Sequence, residues 1–263
     1  MTRTLSADEV ATVADELAAA ERDRTTVPLL TARHPGMTVD DAYAVQAEWR
    51  RRALAAGRAP VGRKIGLTSK VMQAATGIDE PDYGAILADM VVPSGADVEH
   101  ARFSNVRVEV ELAFRLAAPV GPGATVDDVL AATEYVVPAL EILSSRIELA
   151  GRTIVDTISD NAAMGAMVVG DTHVAPHDVD LPWVSAVLRR GDDVEESGVA
   201  AAVLGHPARG VAWLADKLAQ HGDRLDAGEV VLAGSFTRPV WVHRGDTVRA
   251  DFRELGTVSC HFV

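Results

Sequence analysis

The residues best placed to do chemistry in this chain are carboxylates set into apolar strands. From Val106 to Leu116 the sequence reads VRVEVELAFRL, and a strand sends successive side chains to opposite faces. Val106, Val108, Val110, Leu112, Phe114 and Leu116 therefore share one face, while Glu109 and Glu111 lie one pleat repeat apart on the other. Taken alone, a Glu-x-Glu pair reads as a half-buried strand with a wet acidic face. A second run changes that reading. Val136 to Leu143 (VVPALEIL) has the continuous apolar character of a buried strand, broken by one carboxylate, Glu141. A glutamate is almost never buried without a partner. Three carboxylates brought together repel one another unless a cation sits between them. An all-oxygen, anionic ligand set suits a hard divalent ion, Mg²⁺ or Mn²⁺, and the sequence offers no Cys or clustered His set for zinc. Three carboxylates also leave about half of an octahedral shell to water or substrate, which is a catalytic arrangement.

A cation and further polar groups lie upstream. Val61 to Leu67 (VGRKIGL) reads as a short strand with Lys64 inside an apolar, glycine-flanked setting, a semi-buried ammonium of the kind recruited to hold anions. Thr68-Ser69-Lys70 then turns into a helix expected to end at Gly77. Asp79 to Gly84 (DEPDYG) has turn chemistry and presents Asp82.

The elements that must position these groups are spread over 263 residues, enough for a sizeable core. Ser6 to Glu9 has capping-box spacing and opens a helix to about residue 22; Thr38 to Asp41 opens another that stops near Gly57. Residues 1–60 are expected to form a small helical cap, and residues 61–263 a β-rich catalytic domain. Thr125 caps a short helix before the Glu141 strand, residues 155–163 read as a polar loop leading into an apolar strand that ends at Gly170, and Pro207 opens a helix with Val211, Leu214 and Leu218 on one face. Strands are expected at 229–233, 239–243, 247–252 and 257–263. Helices do not alternate regularly with strands, so the expected class is α+β, with a rolled or barrel-like sheet.

Composition excludes several functions. A net charge of −13 argues against a nucleic-acid or anionic-membrane surface, and no apolar run approaches the roughly 18 residues of a membrane span. The single cysteine, Cys260, cannot form an internal disulfide. The N-terminal stretch is acidic where a secretory leader is basic, so a cytoplasmic protein is expected. No glycine-rich phosphate loop follows a strand.

Together GRKIGLTS (62–69), EPDYG (80–84), VEVEL (108–112) and PALE (138–141) resemble the fumarylacetoacetate hydrolase superfamily, in its branch of 2-oxoacid hydratases and decarboxylases of aromatic meta-cleavage pathways. DTISDNAA (156–163) and GSFTRPV (234–240) resemble the members that act on a seven-carbon dicarboxylate. The resemblance implies a mixed β-roll, Mg²⁺ or Mn²⁺ on Glu109, Glu111 and Glu141, and Lys64 and Asp82 as proton-handling or anion-stabilising groups. It implies that Thr68, Ser69, Asp160 and Arg238 bind substrate, with Arg238 reading the distal carboxylate. The partner it implies is a small anionic 2-oxo acid, handled by a homo-oligomer as large as a decamer. The implied activity is addition of water to 2-oxo-hept-4-ene-1,7-dioate in homoprotocatechuate breakdown. The alternatives are 2-oxo-3-hexenedioate decarboxylation, hydration of 2-hydroxypenta-2,4-dienoate, and a non-catalytic partner subunit.

Overall fold

The computed structural model describes residues 3–70, 73, 74, 78 and 80–263; the expected helix end at Gly77, and Asp79 of the turn, lie outside them. Two helices lead the chain, α1 (Ala7–Asp23) and α3 (Val39–Ala55), with a short α2 (Leu30–Arg33) between them. Both expected capping boxes are present. Ser6 Oγ accepts from Glu9 N at 3.3 Å while Glu9 Oε2 accepts from Ser6 N at 2.8 Å. At α3, Asp41 accepts from Thr38 N and also from Thr4 N and Leu5 N, which ties the N-terminal segment to the helix start.

The strands form two sheets. In the larger, the order is β2 (Asp82–Leu87), β1 (Pro60–Gly66), β10 (Val230–Leu232), β5 (Arg107–Leu116), β6 (Thr133–Leu143), β7 (Met164–Val169) and β3 (Val91–Pro93), with β11 (Val240–Trp241) also paired to β5. The smaller runs β4 (Ala96–Val98), β13 (Gly256–Phe262), β12 (Thr247–Phe252), β8 (Ser185–Arg190), β9 (Asp193–Val199). Parallel and antiparallel pairings mix in both sheets, as an α+β fold allows. A short α4 (Val126–Ala132) precedes β6, and α6 (Pro207–Gln220) lays Val211, Leu214 and Leu218 into the core. One apolar cluster runs from the N-terminal helices through both sheets. Among the described residues no helix is long and apolar enough to cross a membrane.

Two local expectations are corrected. Residues 155–163 are not a polar loop. Thr153 caps a helix, α5 (Ile154–Ser159), with Asp156 closing the box, and the chain then makes a left-handed turn at Asn161, Ala162 and Ala163 (φ +50, +53 and +58°). Asp82 is not a turn residue either: it opens β2, opposite Gly66 of β1. The β8–β9 hairpin adds two strands where none is expected.

Candidate active site

The Glu109–Glu111–Glu141 group is made by strand register. β5 and β6 run antiparallel with Glu109 directly opposite Glu141 and Glu111 opposite Ala139, so the three side chains share one face. One carboxylate oxygen from each lies within 4.8 Å of the others. The acidic face of β5 is not a wet one at its centre, where Glu111 is 1% exposed, and Glu141 on the neighbouring β6 is fully buried, while Glu109 is half-buried at the cavity wall. Like charges placed opposite one another destabilise a sheet, so this geometry requires compensation.

Lys64 is central. It sits on β1, an interior strand between β2 and β10, and its Nζ lies 3.1 Å from Glu141 Oε1. Among the described residues neither Glu141 oxygen has an aligned hydrogen-bond donor, so the contact with Lys64 is an ion pair. Glu111 Oε1 and both Asp82 oxygens are equally bare, while Glu111 Oε2 accepts from Gly234 N at 2.9 Å. Buried carboxylate oxygens in native proteins are nearly always satisfied, so this concentration of orphans fits a site built to take a cation.

Electrostatics agree with the geometry. Burial pushes the acids upward: Glu109 reaches about 8, with the Glu141 carboxylate adding to the effect of desolvation. Glu111 and Glu141 are raised mainly by the same burial, and so is Asp82, although Lys64 draws it back. Burial works against the Lys64 ammonium, but the carboxylates of Glu141, Asp82, Glu109 and Glu111 outweigh it and hold its pKa above the ordinary value. Lys64, Arg107 near Glu109 and Arg152 near Asp82 still leave the four carboxylates one positive charge short, a difference that protons or a divalent cation can supply. Three anionic oxygens at this spacing are a hard-cation donor set, and these residues fit a Mg²⁺ or Mn²⁺ ion.

A cavity of about 210 Å³ opens onto these groups, lined by Lys64, Thr68, Ser69, Asp82 and Glu109 together with Ser235, Thr237, Ala162 and Ala163. Its walls are strained. Leu67 joins Ala162 and Ala163 in the left-handed region, and Asn161 clamps Ala85 by donating to its carbonyl at 2.9 Å and accepting from its N–H at 2.7 Å. The Gly234 to Arg238 segment fills the gap along the β5 edge between β10 and β11, where Thr237 Oγ1 accepts from Val110 N at 3.1 Å. A larger cavity of about 1120 Å³, beside Tyr43, Tyr83 and Lys217, contains none of the three glutamates, nor Lys64 or Asp82.

Two expected residues are not brought to this cavity. Asp160 is buried and turned to Arg146, whose N–H donates to it at 2.9 Å and whose Nε also pairs with it. Arg238 points outward, 74% exposed, with its Nη2 2.7 Å from Glu196. Strand-like alternation explains the latter, since Thr237 and Pro239 face the cavity and Arg238 does not. In their place Arg107 and Arg152 line the wall. Arg107 was legible as the third member of an i, i+2, i+4 row with Glu109 and Glu111; Arg152, in a loop, carries no such signal.

A model of the fumarylacetoacetate (FAA) hydrolase C-terminal family matches residues 57–263. The chain belongs to the fumarylacetoacetate hydrolase family. This family member is 48% identical over 258 residues to the 2-oxo-hept-4-ene-1,7-dioate hydratase of Escherichia coli, spanning 95% of this chain and 97% of the relative. It is 38% identical over 264 residues to the 4-oxalocrotonate decarboxylase of Pseudomonas sp. (strain CF600), over the whole of both chains. Its fold is similar to that of the 4-oxalocrotonate decarboxylase from Pseudomonas putida G7 complexed with magnesium and adipate, with a TM-score of 0.97, 36% identity and complete coverage of both chains. These relatives are a hydratase and decarboxylases, which are lyases.

Proposed function

We propose that this protein is a divalent-metal-dependent hydratase converting 2-oxo-hept-4-ene-1,7-dioate to 4-hydroxy-2-oxoheptanedioate in aromatic ring-cleavage catabolism. The observation that carries the metal-dependent part is the convergence of three carboxylates, two of them buried with orphaned oxygens, beside Lys64 and Asp82. The choice of hydration rests on the likeness to the E. coli hydratase.

Glu109, Glu111 and Glu141 would hold Mg²⁺ or Mn²⁺, which when bound supplies Lewis acidity at the 2-oxo acid end of the substrate. Lys64 adds fixed positive charge at that end, where negative charge develops on the C2 oxygen as a proton leaves C3. Asp82 has two oxygens free of hydrogen bonds among the described residues and a pKa raised by burial, which fits a group that takes and returns protons. Taking the C3 proton and delivering one to C5 moves the double bond from C4–C5 to C3–C4. Water then adds its oxygen to C4 and a proton to C3. Thr68 and Ser69 present hydroxyls to the same cavity and would orient the oxo acid.

Decarboxylation of 2-oxo-3-hexenedioate is the second reading, favoured by the TM-score of 0.97 to the decarboxylase. An enolate whose C2 oxygen lies beside Lys64 would serve both reactions. Identifying the product from each dioate with Mg²⁺-loaded enzyme separates them. We also assign the protein to the cytoplasm and to a homo-oligomer; exposed Trp183 and Trp241 support the latter as apolar surface to be covered.

A further inference from the structure

Two guanidinium groups face the cavity without a direct ion pair among the described residues. Arg107 stands one pleat repeat from Glu109 on the same face of β5, and Arg152 lies on the loop before α5. Arg107 Nη2 donates to Ser145 Oγ at 3.0 Å, and Arg152 Nη1 donates to the same oxygen at 2.9 Å. Arg107 Nε is given only to a backbone carbonyl, that of Asn105 at 3.3 Å, and its guanidinium carbon lies 5.4 Å from the Trp241 ring centroid.

The fully buried arginines behave differently. Arg63 pairs with Asp223 and Glu229, and Arg146 pairs with Asp160 and Glu21. Among the described residues neither Arg107 nor Arg152 has an ion pair. Two like charges converging on one neutral hydroxyl repel each other, and the carboxylates of Glu109 and Asp82 attract them only from beyond ion-pair distance. Arranged in this way, they present a forked donor set to an anion entering the cavity.

We propose that Arg107 and Arg152 together bind the carboxylate remote from the 2-oxo group, so that the site selects dicarboxylates. The proposal rests on the reading above, in which the three glutamates and Lys64 take the 2-oxo acid end. Spacing supports it. Arg107 is one strand repeat, about 7 Å, from Glu109 and two from Glu111, which is comparable to the span of a short dioate. Arg238 is excluded from this role in a single chain by its outward direction and its pairing with Glu196.

The test is calorimetric binding to the full-length Mg²⁺-loaded enzyme of two saturated seven-carbon probes, 2-oxoheptanedioate and 2-oxoheptanoate, neither of which has a double bond to hydrate. Wild type is expected to prefer the dioate. Arg107→Gln and Arg152→Gln should each weaken the dioate by about 10- to 150-fold, the range of a lost charge-assisted contact, and leave the monoacid within about twofold. Arg152→Lys should recover part of the loss, since it restores the charge without the fork. Equal losses on both probes, or a wild type that does not distinguish them, would overturn the subsite. Product analysis of the wild type is the separate arm. Dioate preference lost in the variants without hydration products sinks the hydratase reading and leaves the subsite standing; hydration without dioate preference does the reverse.

Discussion

Glu141 is buried in an apolar strand with neither oxygen hydrogen-bonded, opposite Glu109 and 3.1 Å from Lys64. Glu141→Gln removes the anion and keeps the shape, so the rise in Tm on adding Mg²⁺ should vanish. Unchanged Mg²⁺ affinity in calorimetry would mean that the carboxylates are not ligands. The pH dependence has a definite sign. Glu109 titrates at about 8 when folded against an ordinary 4.5, so the folded metal-free protein holds a proton that the unfolded chain has released. That contribution to stability is intact below 4.5 and is lost as pH rises through about 8. Metal binding must expel the proton, so Mg²⁺ affinity should climb with pH until about 8, with proton release seen as a dependence of binding heat on buffer. A flat affinity profile would contradict this. Lys64→Met keeps the aliphatic volume, and in the metal-loaded enzyme it should lower kcat/KM about 10²-fold while Tm stays close to wild type. Loss of folding without a separable kinetic effect would make Lys64 a structural residue. At this scale the carboxylates were legible in the sequence because an anion in an apolar strand is conspicuous. Arg238 was misplaced because an alternating loop hides which of its residues turn inward, and that direction is set by the hydrogen bond from Val110 to Thr237.

Elements bring these residues together by where they stop. β10 ends at Leu232, level with Lys64 of β1 and Ala113 of β5, and the chain turns at Gly234 (φ +114°) to deliver an N–H to Glu111. A Cβ on Gly234 would meet Thr68 Oγ1 at 2.2 Å, so glycine is needed there for both conformation and space. Gly66 has the second requirement alone. Its Cβ would lie 2.2 Å from Asp82 Oδ1 and 3.3 Å from Lys64 Nζ. Gly66→Ala should therefore displace the acid and cut kcat/KM about 10-fold or more, at a stability cost of about 1–3 kcal/mol typical of overpacking. Wild-type kinetics would mean that Asp82 has room to move and that its position matters little. The capping boxes at Ser6, Thr38 and Thr125 were readable because each is a local side chain–backbone exchange. The same motif at Thr153 was missed: a six-residue helix offers too little periodicity, and Asp156 also accepts from Thr31, 125 residues away. Left-handed Asn161 to Ala163 has no glycine to announce it and is held by the clamp on Ala85.

The whole molecule is two mixed sheets whose larger member gathers β1, β5 and β6 around one small cavity. Its class followed from the sequence because strands predominate without alternating helices; the order of strands did not, because β10 inserts between β1 and β5 from more than 100 positions downstream. Lys64 thus meets Glu141 only through that long-range pairing. At this scale the account makes one claim, that the assembled site binds a divalent ion and hydrates a dicarboxylic 2-oxo-enoate. The most direct measurement is ¹H and ¹³C NMR of 2-oxo-hept-4-ene-1,7-dioate incubated with enzyme and Mg²⁺, alongside a chelated control. The account predicts a new C4 carbinol signal, that of 4-hydroxy-2-oxoheptanedioate, which appears with Mg²⁺ and not after chelation. Release of a carboxyl carbon as CO₂ in place of that carbinol, or the same carbinol at an undiminished rate without metal, would contradict it.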